Sequence, residues 1–250
     1  DELTSWVGYL RPPDSSARLP LPVGDVTDTT NTTLSSHVIT DAAGIDAFRQ
    51  ACVAVGSRFI GGVLAVVAQA WTEIAGTTAF RAITPTADPD DPHDPESMGW
   101  RAGVVPVVFP VAGSTMAQTM LTAQATYATN RSLGAIPYEA ACELLGEDGA
   151  PDAPDWLAPL IALHDYTRDD SGNETVLRWR AHHGTGMPIP GASGQIAIWF
   201  IRDDAGAGVI ISCPDTAPAQ ATKQRLVRRI AELVHEAAEL VPEAAILAER

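Results

Sequence analysis

The chain has 250 residues, 46% hydrophobic and 19% charged, which is the balance of a packed globular protein of one large domain or two small ones. Its 31 acidic and 16 basic side chains leave a formal net charge of -15, which argues against nucleic acid and anionic membrane surfaces as partners. No apolar run is long enough to span a membrane and the sequence starts at Asp1-Glu2 with neither a methionine nor a signal-peptide pattern, so the expected location is the cytoplasm or the inner face of its membrane, and the start reads as that of a truncated or processed piece.

Residues 1–32 form a lead-in rich in Pro, Ser, Thr and Asp, read as an extended segment packed on a surface or as a linker. A weak alternation through Leu34, Val38 and Ile39 predicts a strand over 33–39. Thr40 can cap a helix over 41–55 with Ile45, Phe48 and Cys52 on one face. Ser57 caps a second helix ending at 75, whose apolar residues cover most of its circumference, so it should be buried. Gly76 closes it, and a strand follows over 79–84.

The acidic, proline-broken run over 88–96 reads as a solvated loop, since it lacks the spacing and glycine of a calcium-binding EF-hand. From Ser97 to Val111 an irregular half, with Trp100 between glycines, leads into a β-branched apolar run. That pattern suits a site-facing loop entering a sheet, and it equally suits a core strand with a tight entry turn. Thr115 and Gln118 make a capping box for a helix to 130, with Met116, Met120, Ala123 and Tyr127 on its apolar face. Pro137 opens a short helix to 145, and a Pro/Asp/Gly-rich break over 146–155 precedes a strand over 160–165. Further strands are predicted over 176–182, 195–201 and 208–213, the last two joined by a hairpin around Asp203–Gly206. Thr216 and Pro218 start a terminal helix to 240. Its buried stripe is Leu226, Ile230, Leu233, Val234 and Ala237, with Lys223, Arg225, Arg228 and Arg229 on a solvated face.

This order of elements predicts an α/β fold, a two-layer sandwich with helices packed on a mixed sheet, and not a doubly wound nucleotide-binding sheet. The expected divisions are a lead-in over 1–32, one subdomain over 33–241 and a tail over 242–250. No phosphate-binding glycine motif, Gly-x-Ser-x-Gly elbow or metal-ligand spacing is present. Cys52, Cys142 and Cys213 are widely spaced in apolar sequence and read as buried, reduced thiols of a cytosolic protein. His182 and His183 end a predicted strand and could supply a general base. However, Met187 stands where an orienting carboxylate would be needed, and strand neighbours point to opposite faces. His164 and Asp165 diverge in the same way. The chain contains no complete catalytic set.

The helix pair, the strand Phe80-Arg81-Ala82-Ile83-Thr84-Pro85 and the stretch from Ser97 to Val111 resemble the C-terminal half of a condensation-domain-type acyltransferase. The nearest likeness is to the actinobacterial polyketide-associated acyltransferases. Arg58-Phe59-Ile60-Gly61-Gly62-Val63-Leu64-Ala65 and Gln195-Ile196-Ala197-Ile198-Trp199-Phe200 carry it too, and it runs over 6–241. The resemblance implies a chloramphenicol acetyltransferase-like subdomain, one of two halves with a substrate tunnel between them. The general base would be the second histidine of a His-His-x-x-x-Asp motif in the N-terminal half, so no catalytic residue is expected in this chain. His182-His183 is not that motif, and an asparagine that members carry near Gly103 is absent. The implied partners are that N-terminal half, an acyl thioester donor and a hydroxyl acceptor on a lipid or sugar. Acyl-coenzyme A or a phosphopantetheinyl carrier protein would be co-substrate, with no bound cofactor and no metal. Ser97, Gly99, Trp100 and Gly103 would face the site, and His164 and His183 would contact the acceptor side. The rival reading is a non-catalytic module that binds carrier proteins or acts as a scaffold.

Overall fold

The structure, a computed structural model, describes residues 6, 9, 21–27, 30–87, 102–137, 140, 159–168, 187–189 and 196–240. Among these, seven strands form one mixed sheet: β1 (Thr32–Asp41), β2 (Ala79–Ala87), β3 (Ala102–Pro110), β4 (Leu160–Asp165), β5 (Met187–Ile189), β6 (Ala197–Asp203) and β7 (Gly206–Pro214). The strand order is β3-β2-β4-β6-β7-β1-β5. β4 runs parallel to β2 and β6, and every other pairing is antiparallel. Helices α1 (Ala42–Ala54), α2 (Phe59–Ala75), α3 (Met116–Asn130) and α4 (Ala217–Ala238) share one core with alternate sheet residues, including Phe80, Phe109, Ile161, Ile198, Phe200 and Val209. The result is the two-layer α/β sandwich expected from the order of elements.

Local chemistry explains the element ends. The α1 cap is Asp41 and not Thr40: with Ala42 as the first helical residue, the Asp41 carboxylate is the group that reaches the Gly44 N–H, at 2.8 Å. Ser57 does not cap α2 either. Arg58 occupies the cap position without a side-chain bond, while the Ser57 hydroxyl donates to the Met120 carbonyl at 3.3 Å and ties α2 to α3. α2 is buried over most of its surface as its all-round apolar pattern requires, and Gly76 ends it at φ 70°. Both arms of the Thr115–Gln118 capping box form. A 3₁₀ turn (Arg131–Ala135) follows α3 and buries Leu133.

On α4 the Thr216 cap and the predicted stripe are in place, but Lys223 is not solvated: it is 7% exposed and donates to Gln220 Oε1 at 2.5 Å. Arg229 also leaves the solvated face, because it pairs with Glu73 of α2 at 2.7 Å and with Glu236 at 2.8 Å. Both side chains sit where α4 meets its neighbours, an environment that helical periodicity does not record. From the lead-in, Leu21 is buried in the core and the Pro22 carbonyl accepts from Thr222 Oγ1 at 2.7 Å. Cys52 and Cys213 are buried free thiols; Cys142 and the strand predicted over 176–182 lie outside the described residues. β5 forms where a loop was expected, with Met187 opposite Leu34 on β1. No single helix among the described residues is long and apolar enough to cross a membrane.

Two features of the sheet bear on function. First, none of α1 to α4 lies on its other face, where the described helical residues are Trp6 and Tyr9. There Leu34, Leu160, Trp199 and Ile210 are half-buried and Val38 is 40% exposed, an apolar surface that, among the described residues, is covered only at one end. Trp6 and Tyr9 pack with Ile83 and Leu160 at its β2–β4 end. Second, β2 and β4 pair only at Ile83 and Leu160. The next donor toward β4 would be residue 85, and Pro85 has no N–H. The carbonyl it would have served, on Ile161, accepts from the Thr84 hydroxyl at 2.6 Å instead. The parallel ladder therefore stops one register pair after it begins.

Candidate active-site surface

The strand directions bring the C-terminal ends of β2, β4 and β6 and the N-terminal end of β3 to one end of the sheet. That end carries Gly103 on the β2–β3 side of the interrupted ladder and His164 on the β4 side. Ser97, Gly99, Trp100 and His183 lie outside the described residues, as does His182.

Gly103 pairs with Thr86 at the open end of the β2–β3 hairpin. A Cβ there would lie 1.9 Å from the carbonyl oxygen of Gly134, in the 3₁₀ turn, and a Cβ on Gly134 would lie 2.4 Å from Thr86 Cγ2. Backbone meets backbone at this point, so no larger residue fits, and the asparagine expected of the family could not be accommodated at Gly103 itself. Around it, the Tyr127 hydroxyl donates to Thr86 Oγ1 at 3.2 Å and Asn130 Nδ2 donates to the Pro106 carbonyl at 2.8 Å. The end of α3 thus holds the open end of the β2–β3 hairpin. Sequence periodicity had assigned Tyr127 only to an apolar face; its hydroxyl has a second task.

His164 is exposed on the face opposite α1 to α4, and its ring lies nearly parallel to that of Tyr166, with centroids 6.0 Å apart and planes 12° apart. Partial desolvation lowers its pKa, which favours the neutral imidazole, the form able to accept a hydrogen bond. Its neighbour Asp165 turns to the opposite face, as alternation demands. There it meets Arg202 of β6 at 3.3 Å, and Arg202 also reaches Asp46 of α1 at 2.9 Å. Nothing in the sequence pattern marked Arg202, whose only signal is its place at the end of an apolar strand. Among the described residues no three His, Cys, Asp or Glu side chains come together as a metal site.

No protein-family model matches the chain. In sequence it is 27% identical over 242 residues to the acyltransferase PapA3 of Mycobacterium tuberculosis, a match covering 92% of this chain and 50% of that protein. It is 33% identical over 144 residues to PapA1 of the same species, a 2'-acyl-2-O-sulfo-trehalose (hydroxy)phthioceranyltransferase, over 57% of this chain and 28% of that protein. Among solved structures, the PapA2 acyl transferase superposes with a TM-score of 0.77 at 23% identity, over 95% of this chain and 51% of that one. The condensation domain that mediates chain release from the enacyloxin polyketide synthase superposes with a TM-score of 0.65 at 12% identity, over 95% and 46%. The fold is that of condensation domains, and the resemblance to their acyltransferase relatives read from the sequence is borne out. The chain spans about half the length of PapA3, the relative it matches over most of its own length.

Proposed function

We propose that this chain is the C-terminal half of an acyltransferase of the PapA kind, which moves an acyl group from a thioester to a hydroxyl of a sugar or lipid acceptor. The observation that supports the reading is the sheet face opposite α1 to α4: Val38, Trp199, Ile210 and Leu34 form an apolar surface that no helix covers among the described residues, on a chain that spans half the length of PapA3. The N-terminal half would cover it, and the tunnel would run between the two, beside the end of the sheet where β2 and β4 part.

In the reaction, the acceptor oxygen attacks the thioester carbonyl carbon, a C–O bond forms and the C–S bond breaks. A histidine of the N-terminal half takes the hydroxyl proton, which then leaves on the departing thiol of coenzyme A or a carrier protein. This half supplies one wall. Ser97, Gly99, Trp100 and Gly103 would line the donor–acceptor junction, and His164 and His183 would meet the acceptor, with trehalose-type sugars the first to try in view of what PapA1 acts on.

The test is to express this chain joined to the N-terminal half encoded beside it and assay acyl-thioester consumption with sugar and lipid alcohols. Acceptor-dependent transfer, lost in Trp100→Ala with an unchanged melting temperature, is expected. Transfer that proceeds without this half, or a gene that encodes no His-His-x-x-x-Asp half, would overturn the reading in favour of a non-catalytic binding module.

A further inference from the structure

We propose that Arg202 of β6 is a positioning residue for the acceptor side: by gripping Asp165 of β4 and Asp46 of α1, it holds the end of β4 so that His164 and Tyr166 keep their parallel arrangement on the face opposite α1 to α4. The inference rests on the reading of His164 as an acceptor contact.

β4 needs such a hold. Its ladder to β2 ends at Ile83 and Leu160, so beyond Ile161 it is paired on the β6 side only. At its end, Asp165 stands in register with Arg202. One Asp165 oxygen accepts from Arg202 Nη1 at 3.3 Å. The other accepts from the Thr167 backbone N–H at 3.2 Å and the Thr167 hydroxyl at 2.7 Å, which starts the turn Tyr166–Arg168. One carboxylate therefore sets both the end of β4 and the path of residues 166–168. Because side chains alternate along a strand, fixing Asp165 on the helical side fixes His164 on the other.

The guanidinium is itself immobilised. Its side chain is 14% exposed, its centre lies 5.6 Å from the Phe59 ring centroid on α2, and a second nitrogen donates to Asp46 Oδ1 at 2.9 Å. Its buried Nε has no hydrogen-bond partner among the described residues. A planar fork presents its donors in fixed directions and so holds two carboxylates on two different elements in one geometry, which the freely rotating donors of an ammonium do not enforce. Arg202 thus links α1, α2, β4 and β6 at the sheet end where the substrates would meet.

The experiment reads the His164 imidazole resonances by NMR in the full chain, and acceptor kinetics in the joined two-half enzyme. Arg202→Met keeps the stem against Phe59 but removes the fork. It should shift the His164 resonances toward those of a free imidazole and raise the acceptor KM on the order of tenfold, with the donor KM unchanged. Arg202→Lys should restore part of both effects, and Asp46→Asn, which leaves the Asp165 contact, should leave the resonances in place. Should Arg202→Met fail to fold, Asp165→Asn carries the same test, since Thr167 keeps its acceptor. Unchanged His164 resonances in Arg202→Met or Asp165→Asn would overturn the proposal. Shifted resonances beside a His164→Ala enzyme with unaltered kinetics would instead leave the positioning standing and remove His164 from the acceptor site.

Discussion

Three side chains show how burial and close approach set behaviour that residue type alone does not. At Gly103, any Cβ collides with the Gly134 backbone, and neither partner is a flexible side-chain tip that could yield. Gly103→Ala should therefore cost about 1–3 kcal/mol by urea unfolding, the range of overpacking; an unchanged midpoint would mean that the 3₁₀ turn moves aside freely. Cys52 lies in the core between α1 and α2, and burial pushes its thiol up to about 12. In the unfolded chain the thiol ionises near its ordinary 9.0, so above that pH the unfolded state binds fewer protons than the folded one. Stability contributed by this group is complete below pH 9 and falls as pH rises toward 12, which a Cys52→Ala comparison in alkaline denaturation would reveal. His164 has the opposite sense. Desolvation lowers its pKa from 6.5, so its contribution is complete above that value and is lost as pH falls below it. NMR titration should place its midpoint below the ordinary histidine value of 6.5.

Elements are set mostly by local signals, and the interrupted β2–β4 ladder is where a local signal has a non-local result. Pro85 withholds the donor that would extend the ladder, and Thr84, fully buried, supplies a hydroxyl to Ile161 in its place. Thr84→Val keeps the shape and removes the donor, leaving a buried carbonyl unsatisfied at a cost of about 1–3 kcal/mol. Adding Pro85→Ala should recover part of that loss by restoring a backbone N–H. Double-mutant thermal unfolding checks this: strictly additive losses would show that the ladder stops for another reason. The helix ends follow caps that the sequence displays. The misread caps at Thr40 and Ser57 are cases where a suitable residue stood one position from the true cap, a choice made by where the strand and the neighbouring helix lie.

For the whole molecule, the asymmetry between the two sheet faces is the dominant fact. One face is sealed by four helices with Phe48, Phe80 and Phe200 fully buried, and the other leaves Trp199 and Val38 within reach of solvent. Trp199→Glu should barely alter the melting temperature of the isolated chain, yet abolish its co-purification with the proposed N-terminal half. Retained association would place the interface elsewhere. A formal charge of -15 on 250 residues adds a self-repulsion that salt screens, so moderate salt should raise the melting temperature of the isolated chain.

Periodicity and capping chemistry were enough to place β1 to β4, the β6–β7 hairpin and helices α1 to α4, because hydrophobic spacing and cap residues act within a few positions of one another; the helix expected over 137–145 lies largely outside the described residues. They were enough, too, for the α/β class, and short motifs carried the likeness to condensation-domain acyltransferases. What they could not determine depends on residues distant in the chain that meet only in three dimensions. The burial of Lys223, the pairing of Arg229 with Glu73, the contact between Gly103 and Gly134 and the grip of Arg202 on Asp46 and Asp165 are of this kind. Local patterning reports which face of an element is apolar, whereas the partner that a buried charge or a bare glycine meets is chosen by packing, and only the tertiary structure decides it.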